Sequence, residues 1–200
     1  MTEAKDHAVL APSAWIVRFA HLVPLHAHAL DLAAGHGRHA RLFASRGARV
    51  LAVDRDPAAL AALAGVQGIE TTIADLETGA WPFRDARFDA IVVANYLHRP
   101  LFSHLLAALA DDGVLLYETF AAGNERFGRP SNPDFLLRIG ELLDVVRDRL
   151  TVVAFEQGEV GAERPAVVQR LAAVGRKRPW PPAIGVADSS IGVADSFLPR

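Results

Sequence analysis

The sequence predicts one α/β domain built on a largely parallel β-sheet whose last two strands run antiparallel. Three observations carry that prediction. Runs of β-branched and aliphatic residues alternate with amphipathic stretches through most of the chain, the pattern of strands joined by crossover helices. The first apolar run leads directly into a glycine turn, Asp31-Leu32-Ala33-Ala34-Gly35-His36-Gly37. The last two runs are joined by a segment with no helical pattern, too short for a parallel crossover. With 200 residues, 51% of them hydrophobic and 22% charged, the chain suits one globular core and leaves no room for a second full domain.

Taken in order, Pro12 to His21 reads as a helix with Trp15 and Phe19 on one face, packed over the ligand cleft or a sheet edge. The first strand is expected over Ala29 to Ala34, followed by a helix from Arg38 that Gly47 closes. Arg49 to Asp54 is the second strand. Asp56-Pro57 caps and opens a short helix that ends at Gly65. Ile69 to Ala74 is the third strand and Phe88 to Ala94 the fourth. Pro100 opens a helix with Leu101, Leu105, Leu106 and Leu109 at helical spacing; the turn Asp111-Asp112-Gly113 then leads into a fifth strand, Val114 to Thr119. The strands read as buried on both faces.

Phe120 to Asn132 is polar and glycine-rich, the character of a binding loop. A helical region is expected from Pro133 to Arg147, then strands Leu150 to Phe155 and Ala166 to Val174. Glu156 to Pro165 between them contains glycines and a proline, so this pair is predicted antiparallel. The domain organisation is therefore an N-terminal helical segment over residues 1–27, a core over 28–178 and a tail over 179–200. In the tail Ile184-Gly185-Val186-Ala187-Asp188-Ser189 recurs as Ile191-Gly192-Val193-Ala194-Asp195-Ser196. Two copies are too few for a solenoid, and the tail reads as a mobile appendage.

Composition removes several function classes. A formal net charge of −2 argues against a broad phosphate-neutralising surface, so no nucleic-acid partner is indicated. The absence of cysteine excludes disulfides, thiolate metal sites and a cysteine nucleophile. No apolar run has the roughly 20 residues of a membrane span, and Met1 to Leu30 lacks a secretory leader pattern, which makes a cytoplasmic protein without a membrane partner the default expectation. There is no G-x-S-x-G elbow, Walker A loop or H-E-x-x-H motif. His36 and His39, like His26 and His28, read as surface or capping residues with no third ligand for a metal.

The glycine turn is itself ambiguous. A strand entering Gly35-x-Gly37 and then a helix lets the backbone approach a ligand closely. Gly35-His36-Gly37-Arg38-His39-Ala40 also fits the dinucleotide fingerprint G-x-G-x-x-A, with Asp54 about twenty residues on to hold ribose hydroxyls. Two cofactor classes thus compete. Asp31, a carboxylate inside an apolar strand and costly if unpaired, is not called for by the dinucleotide motif. Asp75-Leu76 after the third strand and the antiparallel final strand point the same way.

On these residues the chain, from Pro12 to about Arg176, resembles small bacterial class I S-adenosylmethionine-dependent methyltransferases. Ala29 to His39 resembles their first motif, Val50-Leu51-Ala52-Val53-Asp54 their second strand with its ribose-binding acid, and Ile73-Ala74-Asp75-Leu76 and Phe88 to Asn95 their adenine-contact and post-strand-four motifs. The resemblance implies a Rossmann-like three-layer sandwich with a seven-stranded sheet of order 3-2-1-4-5-7-6 and strand seven antiparallel. It implies S-adenosylmethionine as cofactor, held by Asp31, Ala33, Gly35, Gly37, Asp54, Asp75, Leu76 and Asn95. Ala33 stands where the family usually has the first glycine of the turn.

Acceptor chemistry is expected from the segments after strands four and five, outside the carboxyl ends of the sheet. Methyl transfer is a direct displacement in which alignment supplies much of the rate. If the acceptor must lose a proton, His98 or Glu118 is the candidate base and Tyr96 an orienting hydroxyl. The Asn-Pro-Pro-aromatic motif of amino-directed nucleic-acid methyltransferases is absent at Asn95-Tyr96-Leu97-His98. The expectation is therefore a methyltransferase acting on a small molecule or a protein side chain. An NAD(P)-dependent oxidoreductase and a noncatalytic S-adenosylmethionine-binding domain are the alternatives.

Overall fold

A computed structural model describes residues 10–182; the seven-residue duplication and most of the expected tail lie outside them. Seven strands form one sheet: β1 (His28–Leu32), β2 (Arg49–Asp54), β3 (Ile69–Ile73), β4 (Phe88–Ala94), β5 (Leu109–Phe120), β6 (Leu150–Val160) and β7 (Ala166–Gly175). Their order is β3-β2-β1-β4-β5-β7-β6. The first five pair in parallel, and β7 pairs antiparallel with both β5 and β6. This is the predicted topology.

Helices cover both faces because the inner strands alternate apolar side chains to either side. Ala29, Val50, Ala52 and Val92 face one layer with α1 (Ala14–Phe19), α2 (Arg38–Ser45) and α3 (Pro57–Ala61). Leu30, Leu32, Ile91 and Val93 face the other, with α4 (Phe102–Ala108) and α5 (Glu141–Val146). Local signals set the helix ends. Ser13 caps α1 and Asp56 caps α3 ahead of Pro57. Gly47, at φ +87°, ends α2 in the left-handed conformation that favours glycine. Trp15 and Phe19 pack with ring centroids 4.6 Å apart, and the Trp15 indole donates to the Leu171 carbonyl in β7 at 3.3 Å. The helix thus lies on the face of the sheet.

Several boundaries differ from the expectation. The first strand stops at Leu32 because Ala33 turns into the left-handed region at φ +54°. The third ends at Ile73. The helix expected at Pro100 opens with a 3₁₀ turn, Arg99–Leu101, and Leu109 belongs to β5, which pairs with Phe88 and resumes at Val114 after an irregular step. The region around Pro133 to Arg147 holds only a 3₁₀ turn, Pro133–Phe135, and the short α5. The last two strands are longer than expected and form a hairpin around residues 161–165. Burial on both faces holds for the inner strands and fails at the edges. Glu70, Thr71 and Ile73 of β3 are exposed, and no helix crosses between β3 and β4 to cover them.

At the floor of the sheet the end of β7 touches the start of β5. A Cβ on Gly175 would lie 2.1 Å from the Asp111 carbonyl oxygen, a backbone atom with little freedom to withdraw. Gly175→Ala is expected to destabilise the fold by about 1–3 kcal/mol or more, the scale of overpacking. Urea unfolding checks this, and an unchanged midpoint would show that the two strands separate freely.

Candidate functional site

The carboxyl ends of β1 to β4 meet at two adjoining chambers. The larger, of about 470 Å³, is lined by Leu10, Ala33, Ala34, Gly35, His36, Arg38, His39, Ala94 and Asn95. The smaller, of about 260 Å³, is lined by Ala33, Asp54, Arg55, Ala74, Asp75, Leu76, Glu77, Asn95 and Tyr96. Ala33 and Asn95 belong to both. Another cavity of about 260 Å³ lies towards the opposite ends of β1 to β3, lined by residues such as His28, Arg49 and Glu70. It is remote from the glycine turn. Ligands of open α/β sheets bind at the carboxyl ends of the strands, where the strand order reverses. Here that point lies between β1 and β4.

The turn after β1 is built from left-handed residues: Ala33 at φ +54°, Gly35 at φ +53° and Gly37 at φ +73°. Asn95, after β4, is left-handed as well, at φ +57°. Two carboxylates fix the turn to the sheet. Asp54 Oδ2 accepts from the Gly35 amide at 2.7 Å, and Asp31 Oδ2 accepts from the Ala40 amide at 2.8 Å. Nothing lies within 4 Å of where a Gly35 Cβ would stand, which leaves the turn open towards the larger chamber. Gly37 serves packing instead: its Cβ would meet the Leu63 side chain at 2.4 Å, and it lines neither chamber.

A strap from the N-terminal segment closes one wall. The Ser13 amide donates to His39 Nε2 at 3.1 Å, and Arg38 Nη1 donates to the Ala11 carbonyl at 3.3 Å. Burial pushes His39 down to about 4, with Arg38 adding to the shift, so this histidine is neutral and accepts at Nε2. Burial has the opposite effect on Asp31, raising it to about 7 against the favourable Ala40 hydrogen bond and the nearby Arg38.

Residues 29–113 match the family model described as a methyltransferase domain. The fold agrees with that of solved methyltransferase structures. TehB from Haemophilus influenzae superposes with a TM-score of 0.68 at 17% identity over 82% of this chain, which spans 63% of the TehB chain. A TehB-like SAM-dependent methyltransferase from Corynebacterium glutamicum gives 0.59 at 20% identity, covering 81% of this chain and 87% of the other. The Burkholderia thailandensis 1,6-didemethyltoxoflavin-N1-methyltransferase gives 0.61 at 23% identity, covering 85% and 79%. No curated protein matches the chain in sequence.

The structure brings Ala33, Gly35, Asp54, Asp75, Leu76, Asn95 and Tyr96 to the two chambers. Asp31 lies buried beneath the turn. Asp75 is tied into its own turn, accepting from the Glu77 amide at 2.9 Å and the Thr78 hydroxyl at 2.8 Å, and these bonds lower its pKa. The Tyr96 hydroxyl is buried without a hydrogen-bond partner; burial first, and the acids Glu77 and Asp75 next, push it up to about 12. His98 and Glu118 line neither chamber. Glu118 is held by Arg170 at 2.6 Å, within a ladder that continues to Glu156 and Arg18. The occupied carboxylate closes the sheet between β5 and β7. Among the described residues no group of three or more His, Asp or Glu is placed to hold a metal, and no helix is long and apolar enough to cross a membrane.

The sequence reading passed over Leu10, Arg38 and Arg55. Arg38 lies inside the quoted motif, and its place as the first residue of α2 after Gly37 was the available signal. Leu10 had none, since only the folded strap brings it to the chamber.

Two predictions follow from the turn. Ala33 bears a Cβ in a conformation that costs an L-residue roughly 1 kcal/mol, so Ala33→Gly is expected to raise stability by about that amount, measured by urea unfolding. A loss of stability would show that the methyl contributes more by packing than it costs in strain. The second concerns pH. Asp31 titrates near 3.8 when unfolded and about 7 when folded, so the native state keeps a proton that the unfolded chain has lost. Stability from this group is therefore present at low pH and falls as pH rises towards 7, by on the order of 4 kcal/mol in all. His39 acts in reverse, losing stability as pH falls from 6.5 towards about 4. Asp31→Asn isolates the carboxylate: its stability relative to the parent should climb between pH 4 and 8, and a flat difference would contradict the buried ionisation.

Proposed function

We propose that this chain is a methyltransferase that transfers the methyl group of S-adenosylmethionine to a small-molecule acceptor. The observation that carries this reading is the smaller chamber, where the Asp54, Asp75 and Glu77 carboxylates lie beside an orphaned buried hydroxyl, that of Tyr96. An unpaired buried donor costs about 1–3 kcal/mol, and a nucleoside resolves it. Tyr96 would donate to a ring nitrogen of the base, and the carboxylates would accept from the ribose hydroxyls and the amino group. Leu76 adds an apolar wall for the base. The open left-handed turn at Ala33 and Gly35 admits the rest of the molecule without a side chain in the way. These residues fit the group.

When bound, S-adenosylmethionine supplies a methyl group on a sulfonium sulfur. An acceptor lone pair would form the new bond to that carbon as the carbon–sulfur bond broke, with a neutral thioether as the leaving group. The chain's part is alignment, which is worth several kcal/mol in such displacements. Asp54 orients the ribose, Ala33 and Asn95 shape the junction of the chambers, and the strap with Leu10 limits water. With Glu118 engaged by Arg170, a proton lost by the acceptor leaves by solvent or by the acceptor's own ionisation. A small acceptor suits a larger chamber of this volume. The Burkholderia thailandensis enzyme of the same fold, whose structure holds 1,6-didemethyltoxoflavin and S-adenosylhomocysteine, is in keeping with it. The antiparallel β7 and the methyltransferase family match disfavour the oxidoreductase alternative.

Isothermal titration with S-adenosylmethionine, S-adenosylhomocysteine and NADH tests the reading. Both adenosyl ligands should bind and NADH should not. Asp54→Ala should weaken adenosyl binding by roughly tenfold to a hundredfold, the scale of hydrogen bonds to a charged group. Tyr96→Phe should weaken it several-fold while leaving the unliganded protein at least as stable. Tight NADH binding without adenosyl binding would sink the proposal.

A further inference from the structure

We propose that His36 is the general base of the larger chamber, the group through which an acceptor's proton passes to solvent. The inference rests on the donor reading above and goes on to the acceptor's side of the same reaction. A neutral nucleophile that gives a lone pair to the methyl carbon carries a positive charge until its proton departs. The electron pair of the broken carbon–sulfur bond stays on sulfur, so one proton closes the balance, and a receiver near the acceptor atom speeds its loss. The smaller chamber supplies none. On the donor reading its carboxylates, Asp54, Asp75 and Glu77, face the nucleoside, and Tyr96, pushed up to about 12, keeps its proton at neutral pH.

Among the described residues the wall of the larger chamber carries three titratable side chains, His36, Arg38 and His39. Arg38 stays charged and has no lone pair to offer. His39 is buried, its Nε2 accepts from the Ser13 amide at 3.1 Å, and burial with Arg38 holds it down to about 4, too low for an effective base at neutral pH. His36 stands between the left-handed Gly35 and Gly37, and it is exposed where both glycines are half-buried or buried. It shares the wall with Ala94 and Asn95, at the carboxyl end of β4 where an open sheet receives its ligands. A side chain that both lines the chamber and meets solvent can carry a proton from one to the other, and imidazole is the base that ordinarily titrates near neutrality. The charged groups around it are Arg38 at the head of α2, Asp54 at the Gly35 amide and Asp31 beneath the turn, while Leu10, Ala94 and Asn95 bring no charge.

Two measurements on the full-length protein test this. The imidazole resonances of His36, assigned by their loss in His36→Gln, are titrated by NMR in the S-adenosylmethionine and S-adenosylhomocysteine complexes. The two ligands differ by the methyl group and its positive charge, so an imidazole facing the reacting sulfur should titrate lower with S-adenosylmethionine, by about 0.5 or more. Identical titration in the two complexes would place His36 away from the reacting atoms and overturn the inference. Turnover is followed as release of S-adenosylhomocysteine with two probe acceptors: 4-nitrothiophenol, ionised at neutral pH, and 2-phenylethanethiol, which keeps its proton. His36→Gln should slow the second about a hundredfold and the first by no more than about threefold, with S-adenosylhomocysteine bound as before. Equal losses with both thiols would overturn the role in proton transfer, since they would mean that His36 only shapes the wall. If neither thiol is methylated, the NMR titration decides alone. If the parent binds neither adenosyl ligand, the donor reading itself falls.

Discussion

The hydrogen bond from the Gly35 amide to Asp54, 2.7 Å long, is the constraint on which the site depends. It ties the turn after β1 to the last residue of β2. A second bond, from the Ala40 amide to Asp31, ties the start of α2 back to β1. With both ends of the turn referenced to the sheet, the left-handed residues between them cannot relax into a regular loop. Their position in turn sets Arg38 and His39 at the head of α2, and those two side chains hold the strap at Ala11 and Ser13. The wall at Leu10 is therefore several steps removed from the sheet and still located by it.

The far side of the sheet uses charge differently. Glu118, Arg170 and Glu156 sit in register across β5, β7 and β6, so the polar residues at these strand ends satisfy each other. Arg99 does similar work beyond β4. It donates to Glu141 at 2.8 Å and to the carbonyls of Asp134 and Leu136, which fastens the segment after β5 beside the segment after β4. Ion pairs thus lie around the cleft, and among the described residues Tyr96 and Arg38, which line it, take part in none.

Much of this was legible in the sequence. Arg49–Asp54 and Phe88–Ala94 were bounded correctly because their apolar runs are interrupted sharply by charged or polar residues. The antiparallel pair followed from a connection too short for a helix, a geometric limit that no tertiary contact can evade. Strand β5 was read too short because Asp111-Asp112-Gly113 has turn composition, while the structure carries it through an irregular step against β4. Site residues divided along the same line. Those on the turn and the strand ends could be placed from local pattern. The engagement of Glu118 could not, since its partner Arg170 is 52 residues away and only the pairing of β5 with β7 brings them together.

Asp31 shows why the turn holds an acid and not merely an acceptor. An asparagine oxygen would take the Ala40 amide equally well, so the hydrogen bond alone does not call for a carboxyl group. Yet the buried acid, pushed up to about 7, burdens the fold once ionised. Between about 4 and 7 the neighbourhood of Asp31 and His39 holds two neutral groups and the charge of Arg38. Above about 7 Asp31 is a carboxylate beneath the turn, and a ligand bringing a cationic centre would complement it. On the proposed donor reading, the instability of an acid in the apolar strand is the counterpart of a site matched to a cationic donor, and the acid sits beneath the same turn that strains Ala33.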